Sequence, residues 1–259
     1  MAAHNACSAA EIADARAVQA YLRSRARNGT RSAPFSALFS AGSRSPYGNY
    51  AIPDDDAEPS PVEILALEDL FRTRERVPRL EFIPAASPHV EPALVAAGFV
   101  VEARPPFMTC RRDTPTSVKA LEGTEFCLAV EADRLQESVS VEAKAFAGEE
   151  ADCAWLASLP ERGGKVLIAC EQGCGKAVGV GALTRQIDGI AEIVAIGVVP
   201  EFRRRGIGQA ITSALANLAF DDGCTLTFLS AAGEAQAEIY ARAGFVRRSP
   251  MLFISKPQT

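Results

Sequence analysis

A strand followed by a glycine-containing turn and a helix is the stretch that most constrains how this chain can fold. The apolar run Ile193–Val199 leads into Glu201–Gln209, which reads Glu-Phe-Arg-Arg-Arg-Gly-Ile-Gly-Gln. Beyond the turn, Ile211, Leu215 and Leu218 recur at the spacing of one face of an amphipathic helix. The first amides of a helix have no partner within it, and glycines let a ligand approach them closely. The stretch is therefore a candidate phosphate-binding site.

Glycine-rich turns between a strand and a helix also serve only to reverse the chain, so the motif alone leaves both interpretations open. This turn lacks the Gly-Lys-Ser/Thr ending of a P-loop, and its glycines do not follow the Gly-x-Gly-x-x-Gly pattern. The longer segment Ala191–Gly208 closely resembles the acetyl-CoA-binding core of the GCN5-related N-acetyltransferase (GNAT) family. The resemblance implies an α/β (α+β) fold with a mixed, twisted sheet flanked by helices, and acetyl-CoA as co-substrate without a metal.

Composition restricts the class of protein and its partners. The chain has 259 residues, of which 48% are hydrophobic and 23% charged, as in a globular protein with one large or two modest cores. The net charge of −5 argues against a nucleic-acid partner and is compatible with cationic acceptors. No run of about 18 apolar residues exists to span a membrane.

The cysteines and the N-terminus bear on the compartment. Seven cysteines form no Cys-x-x-Cys pair and are accompanied by only two histidines, so a zinc site is not expected. The alanine-rich start is interrupted by Glu11, Asp14 and Arg16 and does not form the apolar core of a signal peptide. These features predict free thiols in a cytoplasmic protein.

An internal repeat appears when the chain is compared with itself at a shift of 146 positions. Eight identities fall within 21 residues, and no gap is needed. The residues concerned are Leu80, Phe82, Ala85, Ala86, Ala97, Gly98, Phe99 and Val100, opposite Leu226, Phe228, Ala231, Ala232, Ala243, Gly244, Phe245 and Val246. Positions 57–62, opposite Arg203–Gly208, contain no glycine. The first half is therefore interpreted as a degenerate copy without the cofactor turn.

The polar segment Arg111–Gly123, broken by a proline, is the natural linker between the halves. The predicted domains are a degenerate GNAT-like domain at 1–115 and a catalytic GNAT domain at 116–259. In the first half, helices are predicted at 10–27, 61–76 and 88–97, and the second of these starts with a Ser60/Glu63 capping box. Predicted helices of the second half are 134–147, 149–158, 207–220 and 234–243, and predicted strands are 125–131, 165–171, 177–185, 190–199 and 225–230.

The resemblance implies which residues hold the cofactor. In the family the pantetheine arm lies along the strand before the turn, like an added strand, and the pyrophosphate lies on the amides of the turn. One or two of the three arginines of the turn are solvated or contact the 3′-phosphate instead. Gly197 either leaves room for the pantetheine arm, or it is a strand glycine at a β-bulge or at a crowded contact with a helix. The implied cofactor residues are Ile196, Gly197, Val198, Arg203, Arg204, Arg205, Gly206, Ile207, Gly208 and Gln209.

Two residues are candidates for catalysis. Glu192 occupies the place where some family members carry a general base, and it can instead be a structural or acceptor-binding carboxylate. Tyr240 matches the tyrosine that commonly protonates the leaving coenzyme A sulfur, and it can instead be a core residue of its helix. The family often has an asparagine seven residues earlier, where this chain has Gly233.

The expected activity is direct attack of a primary amine on bound acetyl-CoA in a ternary complex. A small-molecule amine is the expected acceptor, with the first half completing its pocket, in a monomer or a homodimer. The alternatives are a protein lysine or N-terminal acetyltransferase and a non-catalytic acyl-CoA-binding regulatory module.

Overall fold

The computed structural model describes residues 8–25, 29–40, 44–114, 121–146 and 154–257. The chain divides into two compact units. Unit 1 comprises Met1–Phe107 together with Arg248–Thr259, and unit 2 is the continuous segment Met108–Arg247. This division differs from the predicted domains 1–115 and 116–259 in the segments 108–115 and 248–259, for a reason that lies in the sheets.

Unit 1 is built on one sheet with the strand order β1-β2-β3-β4-β13-β5. Its strands are β1 (Thr30–Ser32), β2 (Phe35–Phe39), β3 (Asn49–Pro53), β4 (Arg79–Phe82), β5 (Val100–Ala103) and β13 (Leu252–Ser255), and its helices are α1 (Ala9–Arg25), α2 (Pro61–Arg72) and α3 (Val90–Ala96). β3 and β4 are parallel, whereas β13 is antiparallel to both β4 and β5. Phe35, Phe71, Phe82 and Leu252 are fully buried in the core of this unit.

The predicted capping box of α2 is confirmed. The Ser60 amide donates a hydrogen bond of 2.7 Å to Glu63 Oε2, and Glu63 N donates one of 3.4 Å to Ser60 Oγ. Both groups belong to the set of amides that a helix start leaves without internal partners. The helix ends at Arg72, four residues before the predicted end.

Unit 2 contains a second sheet with the strand order β12-β6-β11-β10-β9-β8-β7. The strands are β6 (Phe107–Arg111), β7 (Thr124–Leu128), β8 (Lys165–Glu171), β9 (Ala177–Leu183), β10 (Ile190–Val198), β11 (Leu226–Ser230) and β12 (Val246–Arg247), and the helices are α4 (Ala132–Ala145), α5 (Ala154–Ala157), α6 (Ile207–Asp221) and α7 (Glu234–Arg242). β7 to β10 run antiparallel in sequence order, and β10 pairs with β11 in parallel.

Two glycines of β9 allow α6 to lie directly on the sheet. A Cβ at Gly181 would come within 2.5 Å of Ile211 Cγ2, and one at Gly179 within 2.9 Å of Ile211 Cδ1. Such distances are below any normal van der Waals contact, so larger residues here would push the helix away. The sequence pattern did not identify these glycines, although they fix the height of α6 above the strand.

The last strand of each repeat, β6 in the first and β13 in the second, lies in the sheet of the other repeat. At the shift of 146 positions, β4 corresponds to β11, β5 to β12 and β6 to β13. Unit 1 has the order β4-β13-β5, and unit 2 has β11-β6-β12. Each sheet therefore receives, at the same place, the strand that belongs to the other repeat, which accounts for the difference from the predicted domain boundaries.

Among the described residues, no helix is long and apolar enough to cross a bilayer.

Candidate functional site

A β-bulge interrupts β10 where the candidate cofactor segment begins. The register with β9 shifts between Val194 and Gly197, and Ala195 between them has a φ of 56°, in the left-handed region. A bulge inserts an extra residue and bends its strand, and bulges are frequent beside functional sites. The register shift agrees with the bulge that was one of the alternatives for Gly197, whereas the sequence did not single out Ala195, because an alanine carries no preference for a positive φ.

The pairing of β10 with β11 ends before the bulge. It covers only Ile190, Ala191 and Glu192, opposite Leu226 to Phe228. β10 continues along β9 as far as Val198, paired with Gly179. Beyond Glu192 the edge of β10 that faced β11 is therefore no longer part of that parallel ladder, and an extended ligand can pair there as an added strand does.

The turn after β10 directs backbone amides towards one place. Arg204 and Gly206 have φ values of 63° and 84° on either side of Arg205, and Gly206 is the N-cap residue of α6. Among the described residues no side chain caps this helix, and its first turn contains no acidic residue. The amides of Ile207, Gly208 and Gln209 thus lie at the positive end of a helix with no internal anion, which is the arrangement that binds phosphate.

The side chains around this turn have separate roles. Arg203 donates hydrogen bonds to two backbone carbonyls, Val198 O at 3.1 Å and Ala145 O at 2.7 Å. Arg205 lies 4.7 Å from the centre of the Phe202 ring, and the Arg204 side chain is exposed. The predicted phosphate contacts of the three arginines stay predictions. Gln209 Nε2 donates to Arg242 O at 3.1 Å, which links the first turn of α6 to the end of α7.

Gly197 has a packing role that was one of the open alternatives. A Cβ at this position would lie 2.8 Å from Ala145 Cβ and 3.1 Å from Phe146 Cε2. The missing side chain therefore makes room for the C-terminal end of α4. Ile196 and Val198 point to the opposite face, where their Cγ2 atoms lie about 4 Å from the place a Gly208 Cβ would take.

Glu192 is the last residue of β10 that pairs with β11. Its backbone is fixed by Thr184, whose Oγ1 accepts from Glu192 N at 2.9 Å and donates to Glu192 O at 3.1 Å. The side chain is half-buried. Ile193 is paired with Leu183, which shares the α6 face with Gly181, so alternation puts Glu192 on the face that carries α4.

Tyr240 lies in α7 with 9% of its surface exposed, packed in the core of unit 2. Burial raises the pKa of its phenol to about 12, because a phenolate is poorly solvated there. The hydroxyl is therefore protonated throughout the physiological range. This state suits a proton donor and equally suits a buried core tyrosine, so the predicted catalytic role stays a prediction.

Gly233 is the N-cap residue of α7. Its φ of 180° is open to any residue, and the nearest atom to an added Cβ is Gln236 Oε1 at 3.6 Å. An asparagine would fit, so the absence of the family's usual residue here has no steric cause. In the described part of the chain, no three His, Cys, Asp or Glu residues come together as metal ligands.

A family model described as "Acetyltransferase (GNAT) domain" matches residues 162–247. The chain carries a GNAT acetyltransferase domain. The matched region runs from just before β8 to the end of β12, and it contains the bulged strand, the turn and Tyr240. This assignment places the domain among the acyltransferases and confirms the family predicted from the segment Ala191–Gly208.

Solved structures of this family show the same fold over the whole chain. A GCN5-related N-acetyltransferase from Kribbella flavida has a TM-score of 0.80 at 20% identity, covering 95% of this chain and 96% of its own. A putative GNAT acetyltransferase from Novosphingobium aromaticivorans has a TM-score of 0.59 at 16% identity, with coverages of 95% and 99%.

A third solved structure is described as a tandem GNAT protein from the clavulanic acid biosynthesis pathway. It has a TM-score of 0.59 at 14% identity and covers 100% of this chain and 98% of its own. Its match over both units agrees with the interpretation of the chain as two related halves. No curated protein matches the chain in sequence.

Proposed function

We propose that unit 2 binds acetyl-CoA and transfers its acetyl group to a primary amine of a small molecule, by direct attack in a ternary complex. The observation that carries this proposal is the uncapped N-terminus of α6, which follows the bulged strand β10. Beyond Glu192, β10 no longer pairs with its parallel neighbour β11. The open edge of β10 is followed directly by the helix start that can bind phosphate. Together they suit a ligand in which a pyrophosphate is joined to an extended arm that carries amides.

The cofactor is held mainly by backbone groups in this proposal. The amides of the first turn of α6 bind the pyrophosphate. All three arginines of the turn are exposed, but Arg203 and Arg205 donate to backbone carbonyls, so Arg204 is best suited to a further phosphate. The pantetheine arm pairs with β10 along Ile196, Gly197 and Val198. The amides of this strand then stabilise the oxyanion that forms when the thioester carbonyl is attacked.

The reaction forms a C–N bond and breaks the C–S bond of the thioester. An amine acceptor arrives protonated and must lose a proton before attack, and Glu192 accepts it through water. The departing thiolate takes a proton from Tyr240, and the second proton that the attacking nitrogen loses restores the phenol. With a pKa of about 12 this phenol is a weak acid, so the proton moves only as negative charge develops on the sulfur.

The acceptor is a small amine in this proposal. The net charge of −5 favours a cationic acceptor, and the full-length similarity to a tandem GNAT protein of a small-molecule biosynthesis pathway supports a small one. A protein lysine or an N-terminal amine is the enzymatic alternative.

Coenzyme A release over a panel of amino acids, amino sugars, polyamines and lysine peptides tests the proposal. We expect turnover on at least one small amine and a loss of roughly 100-fold or more in kcat for Tyr240→Phe. Turnover on lysine peptides alone would mean that the acceptor is a protein amine and not a small molecule. Acetyl-CoA binding without turnover on any amine would favour a regulatory module, and absence of binding would overturn the proposal.

A further inference from the structure

Arg203 joins three parts of unit 2 through one side chain. It belongs to the turn before α6, its Nε donates to Val198 O at the end of β10, and its Nη2 donates to Ala145 O at the end of α4. The two distances are 3.1 and 2.7 Å. Both acceptors are backbone carbonyls, so this guanidinium is already engaged in holding the protein together.

The end of α4 is a favourable place for such a cation. The last carbonyls of a helix have no partner within it, and they lie at the negative end of its dipole. An arginine can satisfy two carbonyls in different directions because its donors form a rigid, planar fork. A lysine carries its three donors on one nitrogen rather than on a planar fork, so it reproduces this pair of hydrogen bonds less well.

The position of α4 matters because its end rests on the bulged strand. Ala145 Cβ and Phe146 Cε2 lie 2.8 and 3.1 Å from the place where a Gly197 Cβ would be. The contact falls directly beyond the bulge, on the segment along which the acyl arm runs in the proposed function. A shift of α4 therefore changes the wall beside the reacting carbonyl.

We propose that Arg203 is a positioning residue that holds the C-terminal end of α4 against β10 and so shapes the acceptor side of the active site, rather than a ligand of the pyrophosphate. The assignment of an acceptor side rests on the proposed function. The hold on α4 itself is a property of the free protein.

Kinetics with two acyl donors separates positioning from phosphate binding. Acetyl-pantetheine lacks the pyrophosphate that acetyl-CoA carries. Arg203→Ala is expected to lower kcat by roughly 10- to 100-fold with either donor, as a small misplacement does, and to change the Kd of coenzyme A less than threefold. Arg203→Lys should recover only part of the loss. A rise in Kd of tenfold or more, with no loss on acetyl-pantetheine, would overturn the proposal.

A second variant is expected to move α4 away from β10, as Arg203→Ala does, but without removing a charge. Gly197→Ala introduces a methyl group 2.8 Å from Ala145 Cβ, so α4 must move away from β10. It should show the same fall in kcat with both donors. A Gly197→Ala enzyme with normal turnover would mean that the position of α4 does not govern the reaction, and the proposal would fail.

Hydrogen exchange of the full chain without ligand tests, independently of activity, whether Arg203 fixes the C-terminal end of α4. The amide of Phe146 donates to Glu142 O at 2.9 Å in the last turn of α4. Arg203→Ala should increase exchange in this turn, whereas Arg205→Ala, which removes an arginine that contacts Phe202 and Glu201 O, should not. Unchanged exchange in Arg203→Ala overturns the proposal. Changed exchange in a protein that does not bind acetyl-CoA would instead contradict the proposed function.

Discussion

The starts of α2 and α6 occupy corresponding places in the two halves, at Pro61 and Ile207. They differ in what their unpartnered backbone amides bind. At α2 the chain supplies its own anion, because the Glu63 carboxylate accepts from the Ser60 amide and hydroxyl. The hydrogen bonds from Ser60 lower the pKa of Glu63 below its usual range. Pro61 removes a further amide.

At α6 the corresponding cap is Gly206, which has no side chain to offer. The first turn also lacks a carboxylate, so its amides stay available for a phosphate from outside the chain. The comparison teaches that a helix start at the same place in the repeat can be closed from within, by a serine, a proline and a glutamate, or left without a side-chain cap.

Gly206→Glu should have the largest effect, because it places a carboxylate at the open helix start, as unit 1 does. We expect the affinity for acetyl-CoA to fall on the order of 100-fold, measured by calorimetry. Gly223→Glu is the matched control, since Gly223 also has a positive φ, of 96°, and no atom of the described residues lies within 4 Å of an added Cβ. If both variants lose the same affinity, strain or charge in general is responsible.

Tyr240 lies in the core of unit 2, at the position that the shift of 146 residues sets opposite Leu94 of unit 1. The folded pKa of Tyr240, about 12, lies above the usual value near 10, so folding is favoured fully below pH 10 and loses this contribution as the pH rises towards 12. The loss amounts to about 3 kcal/mol. Denaturation of wild type and Tyr240→Phe between pH 8 and 11.5 measures about 2 kcal/mol of this loss, because pH 11.5 still lies below the folded pKa. An identical decline in both would contradict the buried, ionisable phenol.

Ser60→Ala removes the internal cap of α2. We expect the free energy of unfolding to fall by about 1 kcal/mol, measured by urea denaturation, with an unchanged affinity for acetyl-CoA. Because the depressed pKa of Glu63 contributes stability above its ordinary value, the difference from wild type should shrink as the pH falls below about 4. A weaker affinity for acetyl-CoA would mean that unit 1 takes part in binding the cofactor.

Gly208→Ala should have the smallest effect. In the described part of the chain, a Cβ here meets only Val198 Cγ2 and Ile196 Cγ2, at 3.9 and 4.0 Å, and Gly208 does not have a positive φ. Affinity for acetyl-CoA is expected to change less than about threefold, because an ordinary van der Waals contact costs little. A loss as large as that of Gly206→Glu would show that the ligand needs space at both glycines.

The sequence patterns located most helices and strands because caps and periodicity act locally. β8 was predicted at its observed bounds, and the capping box placed the start of α2. A bulge was one of the alternatives for Gly197, but the positive φ of Ala195 within it could not be predicted, since tertiary packing imposes it on an ordinary residue. The same holds for Arg203, whose carbonyl partner at Ala145 is 58 residues away in sequence.

The exchanged strands were also beyond local reasoning. The stretch 99–110 contains two strands, β5 and β6, which join different sheets. Periodicity states that a segment is extended, but the choice of neighbouring strand depends on the whole fold.

The discontinuous course of unit 1 has a consequence for synthesis on the ribosome. β4 and β5 flank β13, which is translated only after the whole of unit 2 has been made. Until then each of these two strands has an edge without its final partner, the kind of edge that invites wrong pairing. Unit 2 is continuous and can complete its sheet earlier, so the order of folding is expected to reverse the order in which the two units begin.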